Sequence, residues 1–361
     1  MNVFWFFPTA GDERFLGTLE GARKADLPYL KQIAGALDNL GYDGALLPTG
    51  ANCEDAWITA SMLASVTNRL KFLVALRPGL MSPTLSARMA ATFDQLSGGR
   101  LLLNIVTGGN PAEQAGFGNY LDHDERYELT DEFLTIWRDV LQGKTVDFNG
   151  KHLSVSRAAV SEAAVQKPYP PLYFGGSSEA GKKVGLKHAD VHLLWGEPPA
   201  KIKKKVEEMR KRAKAEGKNL RFGLRLHVIV RETEKAAWDA ADELIQYVTE
   251  ETIEAYQKRF SLFDSTAQKT QSSLHGGSKQ RKDLEISPNL WAGVGLAREG
   301  AGTALVGDPD TVAARLKEYE EIGIDTFILS GYPHLEEAYR FAELVFPKLK
   351  NKPVNVREEA I

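Results

Sequence analysis

The sequence predicts an α/β fold, a (β/α)8 TIM barrel, and three observations predict it. Eight short apolar runs alternate with stretches of helical periodicity along almost the whole chain, the rhythm of a parallel sheet covered by helices. The first run is followed by Pro8-Thr-Ala-Gly-Asp12, whereas an open dinucleotide-binding sheet would carry Gly-x-Gly-x-x-Gly there. Nearly every run ends in glycine plus a hydrogen-bonding or aromatic residue, and the carboxyl ends of barrel strands are where such folds build sites.

In order, the strands are expected at Asn2–Pro8, Gly44–Pro48, Leu70–Leu76, Leu101–Val106, Pro171–Gly175, Val191–Trp195, Phe222–Val230 and Thr326–Ser330. Helical patterns lie near 26–40, 54–66, 83–96, 127–142, 178–188, 199–216, 234–248 and 309–322, with a last one near 335–347. The lysine-rich pattern after residue 200 interleaves Glu207, Glu208 and Glu216, so it reads as a solvated outer helix. Two insertions interrupt a single-domain chain. Residues 143–170 contain Val146-Asp-Phe-Asn-Gly150, a hairpin turn signal. Residues 249–306 hold a polar Gly/Ser/Lys-rich tip, Gln271–Lys282, and then a glycine-rich run; a loop of that length reads as a mobile lid. The polar tail from 348 to 361 is expected to be loose.

Composition excludes several function classes. A net charge of −3 gives no electrostatic case for nucleic acid or an acidic membrane. One cysteine rules out an internal disulfide and a Cys-rich metal site. The seven histidines fall in no metal-ligand spacing, so no metal is expected. No apolar run reaches the ~18 residues of a membrane span. The N-terminus lacks a basic segment and a small-residue cleavage site, so it reads as a first strand, not a signal peptide, and a cytoplasmic location is expected.

The run Arg221-Phe-Gly-Leu-Arg-Leu-His-Val-Ile-Val-Arg-Glu232 places Arg225 and His227 inside an apolar strand. Alternation puts both on one face. An unpartnered guanidinium in a core costs several kcal/mol or more. Either a protein carboxylate or an anionic ligand must therefore lie nearby.

Long stretches resemble the flavin-dependent alkanesulfonate monooxygenases of the bacterial luciferase-like barrel family. They include Phe4-Trp5 with Pro8-Thr9, Leu47-Pro-Thr-Gly50 with Cys53-Glu-Asp-Ala-Trp57, and Leu70-Lys-Phe-Leu-Val-Ala-Leu-Arg-Pro78. Asn104-Ile-Val-Thr-Gly108, Asp124-Glu-Arg-Tyr127, Pro168–Ser178, Trp195-Gly-Glu-Pro-Pro199, Phe222–Glu232, Leu284–Gly295 and Gly331–Tyr339 complete them. The resemblance runs from about residue 2 to 347.

What the resemblance implies is a two-component enzyme. A separate NAD(P)H-dependent FMN reductase supplies reduced FMN, which reacts with O2, and a small alkanesulfonate is split to aldehyde and sulfite. The resemblance puts the FMN phosphate at Ser177 and Ser178 and the flavin beside Asn104, Thr107, His123, Tyr127 and Cys53, with Cys53 tuning the flavin rather than attacking. It makes Arg225, His227 and Tyr332 catalytic, with His227 as acid/base. It also assigns Trp195, Arg225, Arg298 and His334 to the substrate, Arg298 coming from the lid. Arginine suits a sulfonate because its planar fork pairs with several acceptor oxygens. A homo-oligomer, dimer or tetramer, is implied too. The chain departs from the family pattern at Ala10, where Pro-Thr-His-Gly-Asp is usual, at Asn110, where an aspartate is usual, and at Ala158–Val165, which lacks an apolar run. The alternatives are another small organosulfur or anionic substrate, or a flavin- or sulfonate-binding relative with impaired turnover.

Overall fold

The computed structural model describes residues 1–349. The first half comprises β1 (Asn2–Phe6), α1 (Leu27–Leu40), β2 (Gly44–Leu47), α2 (Ala56–Ala64), β3 (Lys71–Leu76), α3 (Pro83–Ser97), β4 (Leu101–Ile105), α4 (Pro111–Gly116) and α5 (His123–Leu141). A hairpin of β5 (Val146–Asn149) and β6 (Ser154–Ala158) precedes β7 (Leu172–Phe174), α6 (Glu179–His188), β8 (Val191–Trp195), α7 (Pro199–Ala215) and β9 (Arg221–Arg225). Then come β10 (His227–Val230), α8 (Glu234–Leu244), α9 (Glu250–Ser261), α10 (Thr266–His275), α11 (Arg281–Leu284), β11 (Glu285–Ser287), β12 (Leu290–Trp291) and β13 (Ala304–Gly307). The chain returns through α12 (Pro309–Ile322), β14 (Thr326–Leu329) and α13 (His334–Val345).

Eight parallel strands close in the order β1-β14-β9-β8-β7-β4-β3-β2, so the expected TIM barrel is present. Its strands read as near-continuous apolar runs because both faces are buried. One face fills the barrel with Phe4, Leu46, Leu73, Leu102, Tyr173, Val191 and Ile328. The other face, with Trp5 and Phe72, shares a core with the helix residues Phe133 and Trp137 of α5 and Phe341 of α13. Truncating one of these rings, as in Phe72→Ala, costs about 3–5 kcal/mol. Helices begin where a short polar side chain can take up an otherwise unpaired first-turn N–H. Asp26, Asp55, Ser82, Asn110, Ser178 and Asp308 do so, and Asp122 with Glu125 forms a capping box on α5. Among the described residues no helix is long and apolar enough to cross a membrane.

The structure differs from the sequence expectation in three places. The seventh strand is two: β9 stays in the barrel, while β10 leaves it to pair with β13 in a second sheet ordered β10-β13-β12-β11. Segment 249–306 is largely ordered secondary structure, not a loop, and closes over its own core of Leu16, Trp238, Ile253, Leu284, Trp291 and Val294. Its polar stretch hid a helix, α10, that buries Gln268, Gln271 and His275; apolar periodicity cannot register a helix whose inner face is polar. Finally, α5 starts at His123, so that residue opens the helix instead of preceding it. The turn of the β5–β6 hairpin is held by Glu132, which accepts from the N–H groups of Lys151, His152 and Leu153 at 2.7, 3.0 and 2.8 Å. Of the tail expected to be loose, Leu349 is buried and 350–361 lie outside the described residues.

Candidate active site

A cavity of about 570 Å³ opens at the carboxyl ends of the barrel strands. That is the size of small-ligand and cofactor sites. Loops after β1, β2, β3, β4, β7 and β14 reach it, β8 and β9 reach it with their own residues Leu193, Trp195 and Arg225, and segment 249–306 roofs it with Tyr256, Phe263, Gln268 and Arg298. Its floor is apolar, with Phe6, Leu46, Ile105, Leu193 and Ile328.

Arg225 ends β9 and is 5% exposed. Its Nη1 donates to the Leu226 carbonyl at 2.7 Å and its Nη2 to Ser330 Oγ at 2.8 Å. Arg298 comes from the roof and donates to the Glu299 carbonyl at 3.0 Å. Both guanidiniums lie against the Phe6 ring, 4.7 and 5.2 Å from its centre, close enough for cation–π attraction. Among the described residues neither takes part in an ion pair. Burial, and then the Arg298 charge, hold the Arg225 guanidinium well below its ordinary pKa. Of the two partners the sequence allowed for this buried cation, a protein carboxylate is not the one in contact with it. Glu13 also lines the cavity; burial pushes its carboxyl up, against the pull of Arg298.

His227 does not share the cavity face with Arg225, contrary to expectation. The chain changes sheets at Leu226, so alternation does not carry across. His227 is 1% exposed and lies behind the wall, with Nε2 3.0 Å from the Ala301 carbonyl and Nδ1 2.7 Å from Ser330 Oγ. A carbonyl only accepts, so Nε2 carries the hydrogen and Nδ1 accepts from the Ser330 hydroxyl. Burial, then the charges of Arg225 and Arg298, push its pKa well down, so the ring is neutral and both nitrogens are committed. Tyr332 stacks on it at 5.6 Å and faces the cavity; burial raises the Tyr332 phenol.

His334 does line the cavity. Its ring meets Tyr332 edge-on at 5.1 Å and lies 6.1 Å from Phe6. Nδ1 is 2.7 Å from Asp12 Oδ1, and the His334 backbone N–H donates to Asp12 Oδ2 at 2.8 Å.

The residues expected beside a flavin, Cys53, Asn104, Thr107, His123, Tyr127, Ser177 and Ser178, all line the same cavity. The His123 and Tyr127 rings sit 5.0 Å apart on the first turn of α5. Ser178 Oγ accepts from the Gly181 N–H at 3.1 Å, so its side chain caps α6, while hydroxyl hydrogens of Ser177 and Ser178 and backbone N–H groups of the first turn remain to meet an anion. The Gly175-Gly176 turn is packed tightly here: a Cβ on Gly176 would meet Gly181 Cα at 2.9 Å. Burial pushes the Cys53 thiol up, which keeps it protonated and a poor nucleophile. Trp195 reaches the cavity from the end of β8. Ala10 lines it as well, and Asn110 caps α4 through its side-chain oxygen, accepting from the Ala112 N–H at 3.1 Å.

Several residues that shape the site went unassigned in the sequence. Ser330 joins Arg225 to His227. Gln271 Oε1 accepts from the Gly302 N–H at 2.9 Å, while its Nε2 donates to the Gly196 carbonyl at 3.0 Å. Gln268 Oε1 accepts from the Gly300 N–H at 2.8 Å. These two glutamines thus fix the backbone flanking Arg298 and Ala301. Their spacing of three residues was the available signal, but it lay in a polar stretch.

The sequence model of the luciferase-like monooxygenase family matches residues 1–326. Solved structures share the architecture. Long-chain alkane monooxygenase (LadA) aligns over 97% of this chain and 91% of its own, with TM-score 0.78 and 24% identity. EDTA monooxygenase (EmoA) from Chelativorans sp. BNC1 aligns over 99% and 96%, with TM-score 0.78 and 19% identity. Riboflavin lyase (RcaE), solved with modified FMN and riboflavin, aligns over 97% and 91%, with TM-score 0.77 and 21% identity.

Proposed function

The chain belongs to the luciferase-like monooxygenase family, and from that premise we propose that it desulfonates small alkanesulfonates with O2 and reduced FMN. The balanced reaction is R–CH2–SO3⁻ + O2 + FMNH2 → R–CHO + SO3²⁻ + FMN + H2O + H⁺. The observation that carries this reading is the pair Arg225 and Arg298, two cavity-lining guanidiniums with no ion-pair partner among the described residues. Arg225 is buried and Arg298 half-buried; taking such charge out of water is costly, and a permanently anionic ligand offsets that cost with charge-assisted hydrogen bonds.

The cavity also fits FMN. The apolar floor suits a flat ring system, the backbone N–H groups opening α6 suit a phosphate, and Asn104 and Thr107 offer polar groups at the ring edge. Reduced FMN, when bound, supplies the electrons that activate O2. The protein's own task is to bind the sulfonate at Arg225 and Arg298, to orient its carbon over the floor, and to exclude water. Closure of segment 249–306 as a lid serves the last role, because the same segment carries Arg298. A separate NAD(P)H-dependent FMN reductase delivers the flavin. Assembly into a dimer or tetramer is supported by α2, where Ile58, Met62 and the following Val66 expose 66%, 45% and 42% of their surface at helical spacing.

The test is to mix the protein anaerobically with reduced FMN and linear sulfonates from methyl to decyl, admit O2, and quantify sulfite. Sulfite well above the enzyme-free control is expected. No sulfite from any of them, with reduced FMN still bound, would sink desulfonation and favour another anionic substrate or a binding relative.

A further inference from the structure

Two histidines stand near Arg225 and Tyr332, His334 on the cavity wall and His227 behind it, and their nitrogens differ in availability. His227 has none to offer, since Ala301 holds Nε2 and Ser330 holds Nδ1. His334 has one. Its Nδ1 is taken by Asp12 at 2.7 Å, and its Nε2, in a side chain 2% exposed, has no hydrogen-bond partner among the described residues. A buried polar atom left open on a cavity wall is an expected contact for a ligand.

Asp12 is built to hold that ring. It is 1% exposed and accepts from the His334 backbone N–H, from His334 Nδ1 and from the Tyr29 hydroxyl. Its own backbone is pinned to Arg23 by two hydrogen bonds of 2.9 and 2.8 Å, and Arg23 Nη1 donates to the Tyr29 oxygen at 3.1 Å. Burial alone would raise the Asp12 carboxyl, but the charge and hydrogen bonds of His334, with Tyr29, outweigh it and hold it below its ordinary value. An ionised Asp12 can only accept, so Nδ1 carries the hydrogen. Nε2, buried and unpartnered in a cavity-lining residue, then carries either a lone pair or a second hydrogen.

We propose that His334 is the proton-transferring group of this site, with Asp12 and Tyr29 as its positioning residues. This rests on the desulfonation reading. There, the sulfonate carbon gives up one C–H proton and gains a C–O bond to one atom of O2, whose other atom leaves as water with the two electrons of reduced FMN; the C–S bond then breaks, its electron pair leaving with sulfite as the new hydroxyl loses its proton and becomes the aldehyde C=O. His334 Nε2 takes the C–H proton and passes it to solvent. Cys53 and Tyr332, both raised by burial, keep their own protons and are poor bases. An Asp–His pair of this kind works by fixing the tautomer as much as by charge.

The first experiment needs no substrate. In the full chain, with the seven histidines labelled with ¹⁵N in their rings and His334→Gln used for assignment, His334 should show hydrogen on Nδ1 and His227 on Nε2. Asp12→Asn, which can donate where the carboxylate accepts, should invert or average the His334 pattern and leave His227 unchanged. In turnover, His334→Ala should lower kcat about 10²–10⁴-fold, with the KM for reduced FMN unchanged and part of the loss restored by free imidazole. A His334 with hydrogen on Nε2 alone in the wild type would overturn the proposal. So would a folded His334→Ala protein with wild-type kcat, or one that imidazole does not rescue. A wild type with the expected ring pattern that makes no sulfite would instead overturn the desulfonation reading and leave the tautomer assignment supported.

Discussion

The two walls of the cavity are held by different means. On the β4–β7 side, Asn104 is itself a residue of a barrel strand, and Ser178 is fixed by the start of α6. The strand ladder and the helix start place that wall, and they form whether or not a ligand is present. On the β9–β14 side, Arg225 is aimed by Ser330, and the backbone around Arg298 is fixed by Gln268 and Gln271. There, side chains from one layer hold the backbone of another. The difference teaches where adjustability lies: the wall proposed for the flavin is part of the barrel, while the wall proposed for the anion depends on a docked segment that can loosen without unfolding the barrel.

The largest expected effect breaks the anion wall. Arg225→Ala removes a buried cation that contacts the ligand, a loss worth about 2–5 kcal/mol when a charged contact is truncated. The expected outcome is a fall of about 10²-fold or more in kcat/KM for sulfonate, with reduced-FMN affinity unchanged, read by steady-state sulfite release. Next comes a barrel-side contrast. Asp38 accepts from the N–H groups of Asn68, Arg69 and Leu70 at 2.9, 2.8 and 2.7 Å. Asp38→Ala should lower unfolding stability by about 3 kcal/mol in urea titration, yet leave the sulfonate KM of the folded protein in place. Gln271→Leu should do the reverse: about 1–2 kcal/mol of stability, and a roughly tenfold higher sulfonate KM with kcat for bound substrate largely retained.

The smallest effect is with pH. Burial lowers the pKa of His192 on the barrel wall to about 4 and pushes His275 on α10 down as well. A histidine depressed in the folded state is protonated more readily when unfolded. Its contribution is therefore present above the unfolded value of about 6.5 and is lost as pH falls from there toward the folded value. Protection factors, that is, hydrogen exchange corrected for its intrinsic slowing in acid, should fall between about pH 6.5 and 4, in α10 before β8, because α10 belongs to the docked segment. Simultaneous loss of protection in both would erase the distinction between the walls.

How much was legible in the sequence follows the same division. All eight barrel strands could be located because strands buried on both faces must be apolar, and the turns after them must carry polar residues. Ser177, Asn104 and Arg225 could be placed on one rim for that reason, whereas Tyr127, on α5, came only from the family resemblance. What could not be read depends on long-range partners. Nothing in Leu226 marks a change of sheet, so His227 was expected on the wrong face. Gln268 and Gln271 bury amide groups that look solvent-bound in a linear string. Asp12 was visible as a strand-end polar residue, but its partner His334 lies 322 positions away. Pairing them requires the closed barrel, which brings β14 beside β1.

The central claim is that Arg225 and Arg298 await an anion, and equilibrium binding tests it most directly. Quenching of tryptophan fluorescence should be measured with octanesulfonate and with an uncharged sulfone of matched length, in wild type, Arg225→Ala and Arg298→Ala, at low and high salt. The account predicts that wild type binds the sulfonate and hardly binds the sulfone, and that each substitution weakens the sulfonate severalfold or more. It also predicts that salt weakens it less than it would an exposed charge pair. Equal binding of sulfonate and sulfone, unaffected by either substitution, would contradict it.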